Sequence, residues 1–387
     1  MFWLAYRSAE RDTHDRHVIG LFGTLAELGA HDQAVVVAIA LARLLVPLVI
    51  LRFPLAIVAA FVLDAADHPL LAHLTDVNLG PDGAYQSFDK ALDIYYLAIA
   101  YLATMRNWTS GAAFRIGQFL FYYRLVGVFL FEVLDSRAML LVFPNTFEYF
   151  FIVYELVRLR YRPSRFSARF WLVTAGTLWV VVKLPQEYWI HIHQGDFTDT
   201  VADHPVIALI CALVVLCLAV ALWLVIRTRL PDPDWKWRIA ADPVTYELAD
   251  THARQARRLR RREVLSSELA EKAVLLALLA VVFASILPGI TATWPEVAAA
   301  AVAFVCANTA ISMGYTRNDR LTLQSAAAEV ASLLAVNLGL VYVASRLIGD
   351  RSTFPLGEGL FFALLGTLIL WLFDAYKPLA DVRFPRG

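Results

Sequence analysis

The sequence predicts an all-α, polytopic integral membrane protein of about 10–11 transmembrane helices in two membrane units. Of its 387 residues 59% are hydrophobic, and the mean hydropathy is +0.59. Several apolar runs of roughly 20 residues, the length that crosses a bilayer as a helix, follow one another along the chain. The formal net charge is zero, so the overall charge gives no indication of a nucleic-acid partner. The three cysteines lie inside apolar runs and predict small core residues, not disulfides.

The polarity of the chain divides it into four segments. Residues 1–33 form an amphipathic N-terminal segment, and residues 34–227 form an N-terminal membrane unit with an acidic site. Residues 228–268 form a basic polar linker, and residues 269–387 form a C-terminal four-helix membrane unit.

The first apolar stretch, 34–63, is too long for one straight helix and short for two. Pro47 and Pro54 predict kinks in it. It is either one span with a broken or re-entrant piece, or two short spans. The further expected spans are 89–105, 112–134, 138–157, 169–190, 204–226, 269–288, 296–314, 323–346 and 355–374.

Positive charge predicts the orientation in the membrane. The basic loop Arg158–Arg169, the linker 228–268 and the C-terminus are expected on the cytoplasmic side. Alternation of the spans then places the acidic loop 65–88 outside. The excess of arginine over lysine and the many alanines indicate a bacterial source, and so a bacterial plasma membrane.

Two pairs of aspartates bracket that loop: Asp64 and Asp67 before it, Asp89 and Asp93 after it. Their spacings of three and four residues place each pair on one face of a helix. A carboxylate in hydrocarbon is costly unless it faces protein, water or a cation. Two helix ends with two carboxylates each predict a divalent-metal site, for Mg²⁺ or Mn²⁺ before Zn²⁺. The alternative interpretation is that the acids only mark the boundary between membrane and water.

The segments Asp64-Ala-Ala-Asp67 and Asp89-Lys-Ala-Leu-Asp93 resemble the two halves of the signature of the CDP-alcohol phosphatidyltransferase family. The resemblance covers residues 34–190, which could hold the six spans usual in that family. It implies that Asp64, Asp67 and Asp89 bind metal. It also implies that Asp93 is both a metal ligand and the base that accepts the proton of the acceptor alcohol.

The stretch Ala40–Pro47 is similar to the beginning of that family's first helix. His68 and Tyr85 stand where the family has glycines. The resemblance implies a cytoplasmic site, because CDP-linked donors are found in the cytoplasm. The distribution of positive charge places the aspartates outside, so the two interpretations differ on the side of the membrane.

A second candidate metal-binding group lies at the end of the expected span 169–190, where Glu187, His191, His193 and Asp196 are close in sequence. Alternating histidines with nearby acids can bind Zn²⁺ or another transition metal. His191 and His193 therefore join the aspartates as candidate ligands, because alternation puts both segments on one face of the membrane. An aromatic belt at the interface is the alternative, since tryptophan and tyrosine residues lie there too.

Charged residues also occur inside neighbouring spans: Arg124, Glu132, Glu148, Glu155 and Lys183. Charges in lipid are costly unless paired, and Glu148 is a plausible partner of Arg124 or of Lys183. The group could line a cavity for a phosphate or carboxylate. Arg124 and Lys183 would then join Asp93 as catalytic residues that offset charge in the transition state. Alternatively, the charges only hold helices together.

These patterns predict a divalent-metal-dependent membrane enzyme, possibly phosphotransferase-like, acting on a lipid-linked or phosphorylated substrate. An ion-coupled transporter or channel is the first alternative, because a broken apolar stretch beside acids is typical of transporters. A noncatalytic membrane scaffold is the second.

The expected partners are membrane lipids and a small substrate. A homo-oligomer is compatible with the small residues of Ala298–Ala303, which permit close helix packing. The basic run 254–262 is expected to anchor the linker, with an anionic-lipid or partner surface as the alternative. Trp235-Lys-Trp237 has the composition of an interfacial anchor.

Overall fold

The computed structural model describes residues 29–75, 84–134, 136, 138–189, 206, 209–210, 213, 232–241, 267–286, 293–316, 331–339 and 356–384. Every regular element in this part of the chain is helical and none is a strand, which confirms the all-α class. In chain order the elements are α1 Ala30–Val49, α2 Ala56–Leu74, α3 Ala84–Asn107, α4 Gly111–Leu134, α5 Ala138–Val142, α6 Thr146–Arg158, a 3₁₀ turn Pro163–Arg165, α7 Ala168–Thr177, a π-helical turn Leu178–Lys183, α8 Leu184–Glu187, α9 Ser267–Ile286, α10 Trp294–Thr316, α11 331–339 and α12 Leu356–Arg383.

Four stretches within these residues are long and apolar enough to cross a membrane: Ala30–Val49, Gly111–Leu134, Ala138–Arg158 and Ala363–Arg383. They support the prediction of an integral membrane protein. The expected spans 112–134 and 138–157 agree with α4 and with α5 followed by α6. Much of the expected spans 204–226 and 323–346 lies outside the described residues, so the count of about 10–11 spans stays a prediction.

The apolar stretch 34–63 forms parts of two helices, α1 of 20 residues and α2 of 19 residues, which a short turn at residues 50–55 connects. The helices are longer than the apolar stretch because α2 continues through the acidic residues to Leu74. Pro47 lies inside α1, and the backbone N–H of Ile50 donates to its carbonyl oxygen at 3.0 Å. The region thus forms two helices, of which Ala30–Val49 is a candidate span; whether both helices cross the membrane stays a prediction.

The chain divides into two compact units. Unit one comprises Met1–Gly111 and Ala240–Gly387, and unit two comprises Ala112–Ile239. This division follows spatial contacts, whereas the four segments expected from the sequence follow polarity along the chain. The sequence-based boundaries at 33, 227 and 268 stay predictions.

Helix α3 is central to unit one. Residues 94–105 are all buried, and the helix contacts α1, α2, α9 and α12. A helix that is buried on every face belongs to the core of its unit. The hydroxyl of Tyr95 on α3 donates to the carbonyl oxygen of Leu44 on α1 at 3.1 Å. Helix α3 therefore fixes the position of α1 beside it.

Buried polar side chains connect α10, α11 and α12 within unit one. The amides of Asn308 and Asn337 hydrogen-bond to each other in both directions, at 2.6 and 3.1 Å. The Nδ2 of Asn337 also donates to Oγ1 of Thr367 at 2.7 Å. Because amide groups buried among helices are stable only when hydrogen-bonded, this set fixes the register of the three helices.

Unit two contains α4 to α8, and aromatic side chains dominate its interior. Phe147, Phe150, Phe151, Tyr154 and Trp171 are fully buried. Edge-to-face and tilted ring pairs connect α6 to α7. Aromatic rings bury a large area with few rotatable bonds, so they order the helices that carry the polar residues described next.

Candidate functional site

The aspartates expected near a metal gather around Arg43, which α1 contributes. Its Nη1 donates to Oδ2 of Asp67, and its Nη2 donates to Oδ1 of Asp64 and to Oδ1 of Asp93, the last at 2.5 Å. Arg43 is only 4% exposed. One buried guanidinium from α1 therefore serves carboxylates from both α2 and α3.

The helical geometry explains this convergence. Asp64 and Asp67 are three residues apart, so both lie on the face of α2 that meets α1. Asp93 comes from α3, and its carboxylate also interacts with that of Asp64. A guanidinium offers five N–H donors in a rigid plane and can satisfy several carboxylates at once. The four groups together carry two net negative charges when all of them are ionised.

The expected position of these aspartates at helix ends is wrong. Asp64 and Asp67 lie in the middle of α2, and Asp93 lies in the middle of α3. The expectation took the helix to end with the apolar stretch at residue 63, whereas α2 continues to Leu74. Arg43 permits this, because a paired and hydrogen-bonded charge can remain inside an apolar helix bundle.

In this arrangement the guanidinium of Arg43 occupies the position between the carboxylates that a divalent metal would need. The three carboxylates converge on a guanidinium, and the described part of the chain contains no group of three or more histidine, cysteine, aspartate or glutamate residues that could hold a metal ion. The side chain of Asp89, one helical turn before Asp93, lies outside the description, as do His191 and His193. Metal binding by the four aspartates and two histidines therefore stays a prediction.

Unit two contains a second cluster of charges. Nη1 of Arg124 on α4 lies 4.0 Å from Oε1 of Glu187 on α8 and donates to the carbonyl oxygen of Phe143 at 3.1 Å. The expected pairing of Arg124 with Glu148 is thus replaced by pairing with Glu187. Asn145 donates a hydrogen bond to each of the two glutamates. Its backbone N–H donates to Oε1 of Glu187 at 3.0 Å, and its side-chain Nδ2 donates to Oε2 of Glu148 at 2.9 Å.

Lys183 completes this cluster. It is 4% exposed, and its ammonium lies 4.2 Å from the centre of the Tyr149 ring. The carboxylates of Glu148 and Glu187 interact with this ammonium electrostatically. Among the described residues, Lys183 forms no ion pair within 4.0 Å. Lys183 ends the π-helical turn, and Pro185 follows in α8. Proline lacks the N–H that an α-helix would use here, which favours the wider turn, and such turns are frequent at functional sites.

The three candidate catalytic residues belong to different units. Asp93 lies in unit one, whereas Arg124 and Lys183 lie in unit two. That they act together on one substrate stays a prediction. Within unit two, Arg124 and Lys183 do share a cluster, which agrees with the expectation of a group of intramembrane charges.

Arg43 is the functional candidate that sequence reasoning missed. The sequence signal was available: an arginine inside an apolar run, followed by acids 21 and 24 residues later. Those separations match a helical hairpin in which two helices lie side by side. The sequence places Glu187 in a group with the histidines that follow it. In the structure Glu187 instead lies near Arg124, because α4 and α8 meet in the folded chain.

Together, the fold and these clusters define an all-helical membrane protein with buried, charged side chains inside its helices. Comparisons with protein-family models, with curated proteins and with solved structures give no match. The likeness to the CDP-alcohol phosphatidyltransferases thus rests on the aspartate spacings and on the stretch Ala40–Pro47.

Proposed function

We propose that this protein is an ion-coupled membrane transporter and that its coupling cation binds at Asp64, Asp67 and Asp93. One observation carries the proposal: among the described side chains, three carboxylates from two helices share the buried guanidinium of Arg43. With all four groups ionised, the cluster is negative in surroundings of low dielectric constant, where net charge is costly. A proton or a small cation would reduce that charge.

Arg43 then acts as the internal competitor of the coupling ion. When the carboxylates bind a cation, they hold the guanidinium less strongly, and α1 is less strongly attached to α2 and α3. When the cation leaves, Arg43 restores the closed arrangement. The side chains of Asp64 and Asp93 are 25% and 40% exposed, whereas that of Asp67 is 2% exposed, so the ion would reach the first two before Asp67.

The position of the cluster along the helices supports this proposal. Arg43 lies about two helical turns before the end of α1, which corresponds to roughly 10 Å from the turn at residues 50–55. Ion sites of secondary transporters lie near the middle of the bilayer, beside interrupted helices. The cluster lies part-way along α1, α2 and α3, away from the turn, which agrees with that depth.

Arginines support an orientation for unit one. Nη1 of Arg106, near the end of α3, donates to the carbonyl oxygen of Leu51 at 2.8 Å, and Nη1 of Arg383 at the end of α12 donates to that of Arg106 at 2.6 Å. Arg52 lies in the same turn as Leu51. Because arginines concentrate on the cytoplasmic side, we place this end, and with it the C-terminus, in the cytoplasm. The loop between α2 and α3 then lies outside.

Ion flux into proteoliposomes tests the proposal. The purified protein is reconstituted, and fluorescent indicators inside the vesicles report H⁺, Na⁺, K⁺ and Mn²⁺. We expect flux of at least one of these ions, abolished in Asp67→Asn and in Asp93→Asn. Asp32→Asn, near the start of α1 and outside the cluster, is the matched control and should retain flux. Absence of all four fluxes from the folded wild-type protein, or equal losses in the control, would contradict the proposal.

A divalent-metal-dependent enzyme acting on a lipid-linked or phosphorylated substrate is the second candidate. Asp89 favours it, because this residue lies four positions before Asp93 on α3 and so on the same helical face. Electron paramagnetic resonance of added Mn²⁺ distinguishes the two candidates. Tight Mn²⁺ binding that requires Asp89, without flux of any ion, would favour the enzyme. Neither binding nor flux would leave the noncatalytic scaffold.

A further inference from the structure

Residues 232–239 of unit two, here called the Trp–Arg segment, lie against the chain that follows α6. The indole Nε1 of Trp235 donates to the carbonyl oxygens of Arg158 and Leu159, at 3.1 Å each. The backbone N–H groups of Asp234 and Arg238 donate to the carbonyl oxygens of Arg160 and Leu159, at 3.0 Å each. A helix leaves its last carbonyl groups without partners, and this segment supplies donors to those at the end of α6.

Three guanidinium groups stack on the indole rings of this segment. Arg160 lies 5.7 Å from the centre of Trp237, and Arg162 and Arg238 lie 6.0 and 4.7 Å from that of Trp235. A guanidinium stacked by its face retains N–H donors along its edge, in the planar arrangement that suits phosphate. Nε of Arg160 is buried and makes no hydrogen bond within the described residues.

The charge of this surface is positive. Among the described residues 159–166 and 232–239, the acids are Asp232 and Asp234, and the bases are Arg160, Arg162, Arg165, Lys236 and Arg238. Asp234 is already engaged, because its Oδ2 accepts the backbone N–H of Arg162 at 2.8 Å and its Oδ1 lies 3.1 Å from Nη1 of Arg165.

Apolar groups are exposed beside these arginines. Trp237 is 68% exposed and Ile239 is 59% exposed. The surface begins where the candidate span Ala138–Arg158 ends, which is the level of the lipid headgroups. Tryptophan beside arginine at that level is typical of contact with lipid, since the ring reaches the glycerol region and the guanidinium reaches the phosphate.

We propose that the Trp–Arg segment and the turn after α6 form a binding site for the phosphate group of anionic phospholipids in the protein's own bilayer. Arg160 and Arg238 bind the phosphate, and Trp237 and Ile239 contact the lipid beside it. A soluble phosphate would use the arginines without needing the exposed apolar groups, so the combination favours a lipid. The site is independent of the cation cluster in unit one.

Native mass spectrometry of the detergent-solubilised protein tests this site. Phosphatidylglycerol and phosphatidylcholine with identical acyl chains are titrated separately, and the ratio of their affinities is measured. We expect a preference for phosphatidylglycerol that falls with increasing salt. A basic residue near a lipid surface contributes a factor of about five in affinity, so Arg160→Gln/Arg238→Gln should reduce phosphatidylglycerol binding by roughly 25-fold.

Arg115→Gln/Arg169→Gln is the matched control, because it removes two exposed arginines of the same unit that stack on neither Trp235 nor Trp237. It should retain the lipid preference. If the stacked-arginine double variant does not fold, Trp237→Leu replaces it, since the exposed ring contributes little to folding but supports Arg160. Equal affinity of the wild type for the two lipids, or equal losses in both arginine pairs, overturns the proposal. Displacement of phosphatidylglycerol by inorganic phosphate, but not by chloride of equal ionic strength, would indicate a soluble-anion site and also overturns it.

Discussion

Replacing Arg43 with methionine should destabilise the protein far more than neutralising one of its acidic partners. Methionine has a similar length and keeps most of the apolar contacts of the arginine stem. The substitution leaves three carboxylates facing one another without the buried cation. Asp64→Asn has the opposite effect on charge, because it removes one of two excess negative charges and leaves an amide oxygen that can still accept from Arg43.

The structure predicts the size of the difference in stability between Arg43→Met and Asp64→Asn. Removing one partner of a buried ion pair costs about 3–5 kcal/mol, because the remaining charge stays buried. Hydrogen bonds to charged groups are worth about 1.5–3 kcal/mol each, but the three made by Arg43 do not add, since its partners repel one another. We therefore expect Arg43→Met to lower the free energy of unfolding by about 3–5 kcal/mol, and Asp64→Asn to lower it by about 1 kcal/mol or less. Arg43→Met/Asp67→Leu should recover part of the loss.

Equilibrium unfolding in mixed detergent micelles, followed by tryptophan fluorescence, measures these differences in the free energy of unfolding. Arg115→Met is the matched control at an exposed position of α4, and it should change stability by less than about 0.5 kcal/mol. Equal losses for Arg43→Met and Asp64→Asn would show that the cluster behaves as a neutral pair. A loss below about 1 kcal/mol for Arg43→Met would refute the compensating role of the guanidinium altogether.

Three further predictions concern packing, pH and the buried amides. Gly127→Ala should destabilise unit two by about 1–3 kcal/mol, because a Cβ there would clash with Phe143, whereas Gly366→Ala meets its nearest side chain at 3.5 Å and should be tolerated in the same unfolding assay. The backbone N–H of Arg162, with the charge of Arg165, holds the pKa of Asp234 below its ordinary range. The contribution of Asp234 to holding the Trp–Arg segment against the turn after α6 should therefore be complete above about pH 3.9, the pKa of a free aspartate. It should be lost as the pH falls through the lower pKa that Asp234 has in the folded protein. Hydrogen exchange of the segment measures this, and Asp234→Asn should remove the pH dependence. Asn337→Leu should cost about 1–3 kcal/mol, since it leaves the buried amide of Asn308 without this hydrogen-bond partner; a neutral result would show that the amides contribute nothing to stability.

The helical class and several helix bounds could be predicted because they depend on local pattern. The apolar run that begins after residue 111 ends close to Leu134, and the expected span 112–134 agrees with α4 almost to the residue. The spacing of Asp64 and Asp67 likewise predicted that the two share a helical face. These properties depend on the period of the helix and on the length of an apolar run.

The partner of the aspartates could not be predicted in the same way. Asp67 and Arg43 are 24 residues apart, and they meet only because α1 and α2 pack side by side after the turn at residues 50–55. Without that hairpin, two acids in an apolar run appear too costly for a helix interior, and the sequence suggests a helix end. The error concerned Asp93 too, because its nearest guanidinium lies 50 residues earlier in the chain.

The two charged clusters differ in a way that bears on function. In unit two, Arg124 and Lys183 face Glu148 and Glu187, so two cations balance two anions, and three of these residues are almost fully buried. A balanced cluster of this kind can remain closed, since no further ion is needed for neutrality. Among the described side chains of unit one, three carboxylates share the guanidinium of Arg43, and Asp93 retains a side-chain exposure of 40%. Excess negative charge together with an accessible edge are the two properties that a reversible cation site requires, because the ion must be both stabilised and able to leave. This difference is why we propose cation binding for the cluster around Arg43, and a positioning role among helices for the cluster around Lys183.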